Sequence, residues 1–312
     1  MFIKKTPFLA LTSLVFIFSS CGNAIKKPAD TTTSGRIAIS VDETFAPILD
    51  SQVSTFESLY PEAEVLASYL PEKEAFEKFE KDSMRLVVSS RELTEQEVAY
   101  FKSKKIFPQT TKIGYDALAL IVHPENEMEH IDYVDLKGIF GGGFTWDSLN
   151  KKSKLGEINA VFDNNGSSTA RYIQENFLKE KAFPKNCFAV KSNQEVIEYV
   201  ATHKNALGVI GVNWISDTDD PASQKFMEKI KVLNLSNLEA NPFKPEYFGP
   251  YQAYIATKKY PLTRSLYIIS REGRTGLGTG FASFVAGDKG QRIILKSGIV
   301  PATAPVRIVG FR

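Results

Sequence analysis

From Arg36 onward, short runs of β-branched and aliphatic residues alternate with segments whose apolar positions recur every three or four residues. RIAISV (36–41) predicts a strand, and PILDSQVSTFESLYP then sets Ile48, Val53, Phe56 and Leu59 at helical spacing. EVLASY predicts a second strand, 72–81 a helix, RLVVSS a third strand, and the residues after Thr94 another helix. That βαβαβ order predicts a parallel sheet with helices packed on it. IGYDALALIVHP (113–124) is a long apolar run stopped by His123-Pro124, and it reads as a crossing from one lobe to another. A second unit follows, with DLKGIFGGG, the strand INAVF, the helix STARYIQENFL and the buried-type strand ALGVIGV. Residues 251–270 return as another extended run, and GTGFASFVAGDKGQRIILKSG closes the chain as a helix whose Phe281, Phe284, Ile293 and Leu295 cover the first lobe. The expected architecture is therefore α/β with two lobes, 36–116 plus 265–312 and 117–264, joined by two crossing strands. Such a layout implies a cleft that closes on a small ligand by hinge motion.

The first residues follow a different pattern. Lys4 and Lys5 precede an uncharged apolar run at 8–20, too short to span a bilayer comfortably, and 1–20 reads as an export signal. IFSSC resembles a bacterial lipobox in which Cys21 is acylated after cleavage, with Phe18 where leucine is usual. The polar, Thr-rich stretch at 21–35 then reads as lipid anchor and flexible tether, which places the protein on a membrane facing the periplasm or the cell exterior.

Composition narrows the function classes. With 43% hydrophobic and 24% charged residues the 312-residue chain has the profile of a globular protein. Its 38 Lys and Arg against 36 Asp and Glu are dispersed, which argues against a nucleic-acid partner. Without Lys4 and Lys5 the two signs balance, so any ligand has to be selected by local dipoles and a few placed charges. Cys187, among Phe188, Ala189 and Val190, reads as a buried inert thiol, and three scattered histidines offer no metal cage. Neither metal nor cofactor is expected.

Ligands of parallel α/β sheets sit beyond the carboxyl ends of strands, where the next helices begin. The residues at those places are 42–46, Ser68 with Tyr69, Ser89-Ser90-Arg91, and 163–169. Each offers hydroxyls and free backbone N–H groups, the means of holding an oxyanion without a cofactor. Thr44, Ser90 and Ser168 also suit plain helix caps. NGSSTARY goes further, since Gly166 allows close backbone approach and three hydroxyl residues follow it.

Over 36–301 the chain resembles the phosphate-binding proteins of ABC transporters, extracytoplasmic solute-binding proteins of the type 2 periplasmic-binding fold. The resemblance rests on TFAP near the start, GIFGGGFTWDSL (138–149), DNNGSSTARY against the family's GSGT loop, ALGVIGV, YPLTRSLYI and GQRIILKSGIVP, in that order. It implies that Thr44, Phe45, Ser68, Ser167 and Thr169 contact an anion, with Ser168 where the family has glycine. The family's Asp after the third strand and Arg before the loop are replaced here by Ser90-Arg91 and by Asp163. One reading is an exchange across the cleft, in which Arg91 supplies the guanidinium and Asp163 accepts the proton of hydrogen phosphate, with Arg171 the next candidate cation; the other leaves Arg91 a solvated helix-start residue and Asp163 an ordinary loop cap. Asp42 and Glu43 beside the first loop would repel a dianion unless they point away.

The resemblance further implies inorganic phosphate as ligand, a membrane permease as partner, no catalysis and a monomer. Molybdate or sulfate as ligand, and an anchored receptor for signalling or scavenging, remain open alternatives. An enzyme is disfavoured because no G-x-S-x-G elbow or phosphate-loop motif occurs, and the glycines at 273–280 lack nucleotide-binding spacing.

Overall fold

The computed structural model describes residues 30–179, 181–237 and 245–306. The export signal, Cys21 and most of the tether lie outside the described residues.

The first βαβαβ unit runs as β1 (Gly35–Asp42), α1 (Ala46–Leu59), β2 (Ala63–Leu70), α2 (Glu72–Glu80), β3 (Leu86–Ser89) and α3 (Glu95–Ser103). β4 (Gln109–Val122) leads to a second unit of β5 (His130–Ile131), α4 (Leu136–Phe140), α5 (Trp146–Leu149), β6 (Asn159–Phe162), α6 (Ser168–Ile173), β7 (Cys187–Ala189), α7 (Asn193–Thr202) and β8 (Ala206–Gly211). The chain continues through α8 (Pro221–Met227), β9 (Lys231–Val232), β10 (Asn234–Ser236), β11 (Tyr247–Phe248) and α9 (Gln252–Ala256). It returns along β12 (Thr263–Ser270) and ends with α10 (Leu277–Ala286), α11 (Asp288–Lys296) and β13 (Val300–Pro301).

Strand order is β2-β1-β3-β12-β4-β8-β6-β7, parallel within each outer part and antiparallel at β12 and β4 in the middle. β4 belongs to both parts: its 109–117 stretch pairs with β12, and 118–122 pairs with β8. The two long central strands are thus the crossings the apolar runs suggested, and Arg264 of β12 sits directly opposite Asp116 of β4. β8 is buried at every position, as a continuous apolar run covered on both faces requires. Ile37, Ile39, Phe45 and Ile48 on one side share a core with Trp146, Phe162 and Leu207 on the other. Each large apolar side chain buried there contributes roughly 1.5–3 kcal/mol.

Three expectations from periodicity fail locally. Residues 252–256 are a helix, so only the latter part of the return is extended. The closing helix is two, α10 and α11, broken at Gly287, whose added Cβ would stand 2.9 Å from the Ser283 carbonyl. The break rotates the last helix, so Ile294 is buried and Ile293 and Leu295 are only half covered. STARYIQENFL likewise leaves α-helix after Ile173 and continues as a π-helical turn over Gln174–Leu178.

Candidate functional site

The end of β1 and the start of α6 meet where the two parts of the sheet face each other. Asp42 caps the tight turn after β1 by accepting from Thr44 N, which aims the Thr44 hydroxyl across the gap. Thr44 Oγ1 lies 3.1 Å from Asp42 Oδ1 and 3.3 Å from Asp163 Oδ2, and 3.5 Å from Ser168 Oγ. Gly211 makes this approach possible, because a Cβ there would stand 2.5 Å from Thr44 Cγ2. Asn213 Nδ2 and Trp214 Nε1 both donate to the Thr44 carbonyl at 2.9 Å and hold the turn in place.

At the opposing helix, Ser167 is the cap: its Oγ accepts from Ala170 N and donates to Asp163 Oδ1. Ser168 is thereby released from capping, and its Oγ accepts from Arg264 Nη1 at 2.8 Å. Arg264 is the cation of this cluster. Its Nε and Nη2 grip Asp116 Oδ2 at 3.0 and 2.8 Å, its guanidinium carbon stands 4.9 Å over the Phe45 ring, and it is almost fully buried. The charge-assisted fork fixes it with one donor turned toward the cluster.

Carboxyls outnumber that cation. Asp42, Asp116 and Asp163 are all buried, and Asn193 Nδ2 ties Glu43 (2.8 Å) to Asp163 (3.3 Å). Burial pushes Asp42 up to about 7, reinforced by the charge of Glu72 and opposed by Arg264. Burial likewise pushes Glu43 up to about 7 against the Asn193 hydrogen bond. Asp163 is also raised by burial, against the pull of the Ser167 hydroxyl. Asp42 Oδ2, Thr169 Oγ1 and Asn213 Oδ1 are buried without a hydrogen-bond partner among the described residues. Unsatisfied buried acceptors in a cleft are places for a ligand's donors.

The expected site residues divide accordingly. Thr44, Phe45, Asp163, Ser167, Ser168 and Thr169 come together. Gly166 forms the rim, its carbonyl accepting from Lys73 N across the gap. Ser90 also reaches the interface, but as an acceptor for Arg171 Nη2 at 2.7 Å, while its own hydroxyl donates to Glu72. Ser68 lies on the edge strand opposite Ser40, with no described hydrogen bond to the cluster. Arg91 is not brought in either: both its terminal nitrogens bind Glu97 at 2.7 Å and its guanidinium lies on Phe76. Arg171 spans the gap instead, with Nε 2.6 Å from Glu72 Oε2, and despite burial this pairing holds the Glu72 carboxyl below its ordinary range. Beside it a cavity of about 350 Å³ opens between α2 and the 165–167 loop, lined by Lys73, Phe76, Arg91 and Arg171. Asp42 and Glu43 do not point away; they face the cluster.

Arg264 and Asp116 escaped the reading of single loops, yet they left a signal. Asp116 is the one charge of the apolar run 113–122 and Arg264 the one charge of β12, and such charges are rarely buried unless paired. Cys187 is the buried thiol expected, its pKa pushed up to about 12 by burial.

Residues 26–289 match the PBP superfamily domain. The "Phosphate-binding protein PstS" of Staphylococcus aureus strain USA300 is 23% identical over 296 residues, covering 93% of this chain and 86% of the relative. A Clostridium perfringens protein solved with bound phosphate superposes with a TM-score of 0.71 at 20% identity, over 86% of this chain and 100% of that one. An ABC-type phosphate transport receptor from Vibrio cholerae gives 0.62 at 20% identity, over the same shares. These likenesses establish the two-lobed type 2 binding-protein fold, and with a superfamily match over most of its length the chain belongs to the PBP superfamily.

Proposed function

We propose that this protein is an extracytoplasmic solute receptor that holds inorganic phosphate between its lobes and presents it to an ABC transporter permease. The observation that carries the reading is the convergence of Thr44 from one lobe with Ser167, Ser168 and Asp163 from the other around the guanidinium of Arg264. Hydroxyls and one fixed arginine donor suit the oxygens of an oxyanion, while the unpartnered acceptors suit its protons. Phosphate carries both at neutral pH, whereas sulfate brings acceptors alone. Asp116 and Arg264, paired where the crossing strands leave one lobe for the other, mark the hinge of the 36–116 plus 265–312 and 117–264 lobes. The likeness to named phosphate-binding proteins supports the same ligand.

Among the described residues no helix is long and apolar enough to cross a membrane. Anchoring is assigned to lipid on Cys21, and labelling with a radioactive fatty acid, lost in Cys21→Ser, is its check. The ligand is tested by calorimetric titration of the purified protein with phosphate, arsenate, sulfate and molybdate. Phosphate and arsenate are expected to bind and sulfate to give no heat; silence toward all four would overturn the reading.

A further inference from the structure

The cluster contains a pairing that a receptor for a doubly charged anion has no use for. Asp42 ends a strand of one lobe and Asp163 directly follows a strand of the other, and the Thr44 hydroxyl stands between them. That hydroxyl has one proton and two carboxyl oxygens within reach. Arginine relieves the crowding only through space: the charge of Arg264 opposes the rise at both acids, but its described hydrogen bonds go to Asp116 and Ser168, those of Arg171 to Glu72, Glu175 and Ser90, and those of Arg91 to Glu97 and the Glu92 carbonyl. Glu43 adds a third carboxyl through Asn193, and Glu72 contributes further negative charge nearby. Asp42 Oδ2 remains buried and unpartnered, an atom placed to carry a proton.

We propose that Asp42 and Asp163 form a cross-cleft carboxyl pair that shares one proton, so that closing the lobes takes up a proton and the receptor selects the singly charged, proton-rich form of its oxyanion. This rests on the proposed phosphate reading for the ligand, but not for the pair itself. Two carboxyls brought together in a water-poor site cannot both ionise cheaply, and the proton belongs to the pair rather than to either member. Open lobes separate the two, rehydrate them and let both ionise. Groups whose pKa is raised on closure favour the closed form below their open-state values, and that advantage disappears as pH rises toward about 7. A dianion meets more repulsion from the pair's remaining charge than a monoanion does, and the monoanion brings a further proton for the unpartnered carboxyl oxygen.

The test has two arms on the same protein. Small-angle scattering without ligand follows compaction at pH 5 and pH 8, and calorimetry follows phosphate binding in buffers of differing ionisation enthalpy to count protons, after correction for phosphate's own ionisation. The expected result is a compact form at pH 5 that loosens at pH 8, and affinity falling about tenfold per pH unit above neutrality. Asp42→Asn is expected to stay compact at both values and to lower the proton count by one. Asp163→Asn serves the same purpose if the first variant does not fold. If compaction is independent of pH and proton uptake is equal in wild type and variant, the pair is overturned. If phosphate gives no heat while compaction still follows pH and Asp42→Asn abolishes that dependence, the pair stands and the phosphate reading falls.

Discussion

Two helix starts in this protein look alike in sequence and are used differently. α6 follows Asn165-Gly166-Ser167, and α10 follows the glycine-rich stretch at 273–276; both present free N–H groups beside small residues. At α10 the positive helix end is already filled. Glu272 accepts from Gly278 N, Thr279 N and the Thr279 hydroxyl, Asp30 accepts from Leu277 N, and Arg85 neutralises both acids at 2.9 and 2.7 Å. At α6 the local acid, Asp163, is satisfied by hydroxyls and an amide and has no described arginine bond, and a second lobe stands across from it. The difference teaches that glycine and hydroxyls only make an anion site possible. Whether the chain supplies its own neutralised carboxylate decides if the site is a structural seal or is left for a ligand.

The comparison can be broken at either end. The largest effect is expected from Arg264→Ala, which strands the buried Asp116 carboxylate and removes the fixed donor from Ser168. Equilibrium urea denaturation is expected to show a loss of about 3–5 kcal/mol, with phosphate heat abolished under conditions where the variant is folded. Glu272→Ala should unseal α10, leaving three donors unpaired and Arg85 with Asp30 alone. Because Arg85 is 40% exposed, the expected loss is smaller, about 2–3 kcal/mol, while phosphate affinity in the folded protein is unchanged. A comparable loss of affinity would mean the two helix starts are not the separate devices described here. Arg91→Ala removes a guanidinium committed to Glu97 outside the cluster. Calorimetry is expected to show less than about a twofold change in affinity, and a tenfold loss would return Arg91 to the site.

Much of this was legible because it is local. The strands at 36–41 and 206–211, the helix of 72–81 and the Thr94 start of the next helix follow from periodicity and capping chemistry, which neighbours in the chain settle among themselves. The loops at 42–46 and 163–169 were legible for the same reason. The broken terminal helix shows the limit: Gly287 reads as an ordinary small residue in an apolar helical pattern, and the chain turns there. Ser167 and Ser168 show another. Either fits a cap by sequence, and a one-residue difference decides which hydroxyl is spent on the helix and which meets Arg264.

By itself the sequence determined two α/β units, the apolar crossings between them and the loops that carry hydroxyls, since these depend on the spacing of side chains a few residues apart. Only the tertiary structure decided which charges face each other. Asp116 and Arg264 are 148 positions apart and meet through strand register; Asp42 and Asp163 meet because two strand ends converge; Arg91 is captured by a glutamate of the helix that follows its loop and Arg171 by one across the gap. Electrostatic partnership depends on distance and on exclusion of water, and both are set by how the lobes pack.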